Sequence, residues 1–148
     1  MTEPTVPASN PNAPDPSKPI VAKKGARTQF LSMVLVLEAF VILFGTIVAA
    51  KFVQVGHLNL SQTQVWTMCA VLMVLLIVAS RMQKSPLGIY FGAVLQIPFL
   101  MTGRYMDMMY LVAVVFIAIW VASLWLGTKI DRERAAYDAA HPETAPNA

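Results

Sequence analysis

One cysteine, Cys69, occurs in 148 residues. A single thiol cannot close an intrachain disulfide or supply a multi-cysteine metal site; within an apolar run it reads as a small hydrophobe. Charge is also scarce. Only 13% of the residues are Asp, Glu, Lys or Arg, where a water-soluble domain carries about 25%. Three absences bear on chemistry: a nucleophile beside a base, a cluster of metal ligands, and a glycine-rich phosphate loop. The expectation is therefore a protein that is not an enzyme and holds no cofactor or metal. The net charge is +3, but no basic stripe interleaved with aromatics points to nucleic acid.

The chain has an excess of apolar residues, 57% of the total, gathered in four blocks at about residues 30–50, 63–80, 86–103 and 108–127. A helix crossing a bilayer needs about 20 such residues, with a range of about 17–25. The fold class expected is all-α, an integral membrane protein with four transmembrane helices. The third block is short and carries Gln96 and Pro98. The first block is too long for a signal peptide core and is read as a retained span. Residues 1–29, with six prolines among the first nineteen positions, read as a disordered tail with little to bury. Residues 128–148 read as a short cytoplasmic helical extension followed by a loose end.

Lys and Arg residues set the orientation. Lys18, Lys23, Lys24, Arg27, Arg81, Lys84, Lys129, Arg132 and Arg134 fall on one side, and only Lys51 and Arg104 on the other. This bias places both termini in the cytoplasm. Trp66, Tyr105 and Tyr110 would mark the outer interface, and Tyr90 and Trp125 the inner one. The expected location is a bacterial plasma membrane. The partners expected are the lipid bilayer and a second copy or another membrane protein.

Inside "LVLEAFVILFG" stands Glu38. At about 1.5 Å per residue it lies about 12 Å in from residue 30, and Gln96 lies about 15 Å in from Pro86. Both depths fall near the middle of a hydrocarbon layer about 30 Å thick. No Lys, Arg or His lies in any of the four blocks, so the neutral, hydrogen-bonded carboxyl is expected. On the first helix Glu38, Val41, Ile42, Gly45 and Ala49 share a stripe. On the third, Gly88, Gly92 and Gln96 recur every fourth residue, with Gly103 near the same stripe. Small residues let lipid-embedded helices approach closely, so each polar group lies on a packing face. Trp120 is at a depth similar to Glu38, and its indole N–H is expected to find the carboxyl. Two readings of the Glu38–Gln96–Trp120 cluster remain open. One is interhelical glue or a partner contact through the GxxxG face; the other is a titrating site for transport of protons or cations.

The blander residues are His57, a loop residue; Arg104 and Asp107, an ion pair or snorkelling pair at a turn; and Met101, Met106, Met108 and Met109, apolar filler in preference to soft-metal ligands.

The segments "VLVLEAFVILF", "GIYFGAVLQIPFLMTG" and "FIAIWVASLWLGTKIDRE" resemble an uncharacterised family of small four-span membrane proteins from actinobacteria, a domain of unknown function. The resemblance covers about residues 28–134 and rests on Glu38, Gly92, Gln96, Phe116, Trp120, Gly127 and Ile130-Asp131. It implies fold and location but no activity. The family's glycine before the fourth-helix Phe is missing from "LVAVVF". A rival analogy, to small multidrug resistance transporters with a Glu in helix 1, is opposed by the strong charge bias and by a third helix without Trp.

Overall fold

The computed structural model describes residues 25–141; the parts of the expected tail and loose end at 1–24 and 142–148 lie outside the described residues. Four helices, α1 (Ala26–Gln54), α2 (Gln62–Met82), α3 (Pro86–Met101) and α4 (Asp107–Ala140), are joined by short turns, with a 3₁₀ turn at Thr102–Arg104 following α3. No strand occurs among the described residues. All four helices, α3 being counted through Arg104, are long and apolar enough to cross a membrane.

The starts of α2 and α3 are written locally. Ser61 and Gln64 form a reciprocal capping box: Gln64 N–H donates to Ser61 Oγ at 3.1 Å and Ser61 N–H to Gln64 Oε1 at 2.9 Å. Ser85 Oγ accepts from Gly88 N–H at 3.1 Å, with Pro86 in the first turn, where a missing N–H costs nothing. Gly56 adopts φ 76° in the turn after α1, a conformation other residues resist.

The start of α1 has no local cap. Its free amides are satisfied from the far end of the chain: Asp131 on α4 accepts from Ala26 N–H at 2.6 Å and from Arg27 N–H at 3.2 Å. That tie explains why α1 begins at Ala26 and not near residue 30. Residues 26–29, assigned above to the tail, are its first turn. Gly127, one turn before Asp131, lets α4 reach α1; a β-carbon there would strike the Arg27 backbone. The α-helical part of the third span ends at Met101, before residue 103, because the chain tightens into the 3₁₀ turn. Beyond Gly127, α4 continues without a break to Ala140.

The helices pack around a square, α1 against α2 and α4, and α3 against α2 and α4. Ser32 Oγ donates to the Ser80 carbonyl at 2.7 Å, so the end of α2 joins the Ala26–Asp131 end of the bundle. At the other end Gln62 Nε2 donates to the Ala50 carbonyl at 2.9 Å. The chain thus runs up, down, up, down. Arg27, Arg81, Lys84, Lys129, Arg132 and Arg134 gather at one end, and Lys51 and Arg104 at the other.

Leu31, Leu35, Leu76 and Phe99 fill the core, with Phe99 edge-on to Phe116 at 6.0 Å. Large apolar side chains cover the outside; Phe44 is 63% exposed and Trp125 68%. An apolar exterior of this extent is unfavourable in water and natural in lipid. Of the four helices, α4 is the least enclosed, its apolar window only 11% buried.

Replacing Asp131 by Ala removes the acceptor for two helix-terminal amides. Loss of a helix cap costs about 0.5–2 kcal/mol. Asp131→Ala is expected to lower the melting temperature in detergent and to speed hydrogen exchange at Ala26 and Arg27, leaving α2 and α3 protected; unchanged exchange at those two amides would count against the tie.

Candidate functional site

Glu38 points into the bundle and is fully buried, with 0% exposure. The stripe on α1 that carries it faces inward: Ile42 is buried with it, and Val41, Gly45 and Ala49 are half-buried. Gln96 Nε2 on α3 donates to Glu38 Oε1 at 2.8 Å. Since α1 and α3 occupy opposite corners of the square, this bond crosses the bundle on its diagonal. It ties together two helices that are not neighbours along the sides of the square.

The glycines of α3 explain how Gln96 reaches that position. Gly88 sits against the end of α2, where a β-carbon would collide with the Met82 carbonyl. One turn on, a β-carbon at Gly92 would meet Gln83 Nε2 at 2.9 Å, Leu35 at 3.5 Å and Trp120 Nε1 at 3.6 Å. The Gly88–Gly92 face is therefore filled by the chain's own α1, α2 and α4. Of the two uses left open above for the GxxxG face, internal glue or a partner contact, the glycines serve the first: they are spent on internal packing. Gly45 receives the Met109 side chain of α4, at 3.3 Å from a β-carbon placed there. Gly103 lies beneath the Tyr110 ring and off the α3 stripe.

Trp120 is buried beside Gly92, one turn from Gln96, but its indole N–H has no hydrogen-bond partner. The expected Trp120–Glu38 hydrogen bond is not made. The indole instead lies against Gly92, as does the amide of Gln83, a residue the sequence hides among exposed neighbours in "SRMQKSP". Gln83 is 0% exposed. Its Nε2 donates to the Ala79 carbonyl at 3.1 Å and the Gly88 carbonyl at 2.8 Å, joining the end of α2 to the start of α3. The only signal for it in the sequence is the pair of glycines on α3, which must have something pressed against them.

The polar interior thus consists of Glu38 paired with Gln96, and Gln83 and Trp120 flanking Gly92. Four side-chain atoms there have no partner within the described residues: Glu38 Oε2, Gln83 Oε1, Gln96 Oε1 and Trp120 Nε1. Three are side-chain oxygens and one is the indole N–H. Among the described residues no three His, Cys, Asp or Glu side chains stand where they could hold a metal ion. Arg104 and Asp107 do not form the ion pair considered above; the one pair among the described residues is Lys129–Glu133 at 3.8 Å, on the exposed face of α4. His57 is exposed and edge-on to Phe52.

Among known proteins, a family model described as "Protein of unknown function (DUF4233)" matches residues 28–136, well over half of the chain. No curated protein and no solved structure matches.

The worth of the diagonal bond is measurable as a double-mutant cycle. Glu38→Leu or Gln96→Leu alone strands a buried partner, at a cost of about 1–3 kcal/mol; the double variant leaves none stranded. Interhelical hydrogen bonds inside membranes show coupling of about 0.6 kcal/mol, with a maximum of about 1.7. A coupling in that range is expected in reversible unfolding in detergent, and additivity of the two single effects would show the bond to be of no consequence.

Proposed function

The chain belongs to the DUF4233 family of proteins of unknown function, and we propose that it is a non-enzymatic accessory or partner-binding subunit of a bacterial plasma membrane, whose diagonal Glu38–Gln96 bond orders the bundle. The observation that carries this reading is the seal around the acid. Glu38 has no exposed surface, and its one bond is to another span. Glu38, Gln96 and Trp120 are all absent from the wall of the large cleft on the bundle's flank. A carboxyl held this way fixes the register of α1 against α3. The outward face of α4, with Leu111, Val115, Val121 and Trp125, is the surface with most freedom to meet a second copy or another membrane protein.

Both termini are assigned to the cytoplasm. Six of the eight described Lys and Arg residues lie at the end where α1 starts and α4 leaves the bilayer, and Lys18, Lys23 and Lys24 precede that end in the sequence. Positive loops stay on the cytoplasmic side.

A second reading, a small proton-coupled transporter or channel, draws on the unpartnered Glu38 Oε2 and Trp120 Nε1. A spare acceptor and a spare donor in the bundle interior are what a proton-carrying site requires.

Two measurements separate these readings. A reporter active only in the cytoplasm, fused after Ala148, is expected to be active; activity of a periplasm-specific reporter instead would reverse the orientation. In proteoliposomes under a pH gradient, wild type and Glu38→Gln are expected to give the same background proton leak, whereas Glu38→Leu is expected to reduce recovery of crosslinked partners. A wild-type proton flux abolished by Glu38→Gln in a folded variant would transfer the assignment to the second reading.

A further inference from the structure

On the flank of the bundle nearer Arg104 lies a cleft of about 620 Å³. Its floor is formed by Ile42 and Thr46 of α1 with Cys69 and Leu72 of α2. Its mouth opens sideways between Met68 and Val71 on α2 and Ile97 and Met101 on α3, all exposed. The floor offers little to hydrogen-bond: the Thr46 hydroxyl is already spent on the Ile42 carbonyl at 2.7 Å, and Cys69 Sγ faces Met73 Sδ at 3.7 Å. In an apolar helix bundle such a recess opens onto hydrocarbon, so its natural occupant is an acyl chain.

Two further observations narrow the occupant to a phospholipid. The first is length. The cleft follows α2 from Val65 to Leu75. Ten residues of helix span about 15 Å, which is half of a hydrocarbon layer about 30 Å thick. The recess therefore runs from headgroup level to the midplane, the depth of one leaflet. The second is charge. Arg104 stands at the headgroup end of the wall beside Tyr105 and is exposed. Its guanidinium forms no ion pair with Asp107 or any other described acid. An unpaired guanidinium at a membrane interface matches a phosphodiester in geometry and charge.

We propose that this cleft is a specific phospholipid site, with one acyl chain seated between α2 and α3 against α1 and the phosphate held by Arg104. The site is separate from the Glu38 cluster, and its occupation does not depend on whether the protein is an accessory subunit or a transporter.

The test is lipid retention by the full chain, released from nanodiscs into the mass spectrometer under rising collision energy. Nanodiscs of phosphatidylglycerol are compared with nanodiscs of a galactosyl diacylglycerol bearing the same acyl chains and no phosphate. Wild type is expected to keep one phosphatidylglycerol after the remaining lipids have been stripped. The bound fraction should fall about tenfold in Arg104→Gln, since a charge-assisted hydrogen bond is of about that weight. It should fall by a similar factor for the galactolipid on wild type. Ala49→Trp, which fills the recess from α1, should abolish retention with Arg104 intact. Melting curves check that both variants fold; Arg104 is exposed, so Arg104→Gln alone decides the matter if Ala49→Trp does not assemble. Loss of all lipids in a single step from wild type, or equal retention by wild type and Arg104→Gln, would reduce the cleft to a place filled by annular lipid and overturn the proposal.

Discussion

The hydrogen bond from Gln96 to Glu38 is the constraint around which the bundle is arranged. Hydrocarbon offers a carboxyl group nothing, so the acid must find its partner within the protein or draw water in after it. Its partner sits on the helix diagonally opposite. For that pair to meet, α3 has to lie close to α2, and the glycines at 88 and 92 remove the side chains that would hold it away. Trp120 and Gln83 then close the space around Gly92. The order of cause runs from one expensive group to the small residues that let it be satisfied, and from those to the packing of four helices.

The same economy explains what faces outward. Helices that are apolar on all sides have no polar stripe to turn toward the surroundings, and aliphatic side chains gain little by leaving lipid for each other. Which face of each helix points inward is therefore decided by the minority residues: Glu38, Thr46, Ser80, Gln83, Gln96 and the glycines. The large side chains left over, such as Phe44 on α1 and Trp125 on α4, cover the outside, which in a soluble protein would be its core.

Much of this was legible in the sequence, because lipid imposes a length and a polarity that can be counted. The four spans, the inward placement of Glu38 and Gln96, and the crowding at Gly88 and Gly92 follow from composition and helical spacing. What could not be read was any contact closed by partners far apart in the chain. Gln83 looks like a loop residue between Arg81 and Lys84, and only the arrival of α3 buries it. Asp131 looks like one more charge in "TKIDRERAAYDAA", and only the crossing at Gly127 turns it into the cap of α1. Trp120 lies at the depth its place in the chain implies but beside a different neighbour, since depth along a helix does not fix rotation about it. The family match, residues 28–136, takes in Asp131 but begins just after Ala26 and Arg27, whose amides Asp131 receives in this latch.

The latch has a consequence for how the protein is made. The amides at Ala26 and Arg27 and the carboxylate that receives them are separated by 105 and 104 residues, so α1 is made long before the group that secures its start. Until α4 is in place, water must serve those amides, and the opening turn of α1 is free to fray. A nascent chain halted anywhere short of residue 131 would carry an α1 whose opening turn is unsecured, and the fold closes only when the late part of α4 returns to it.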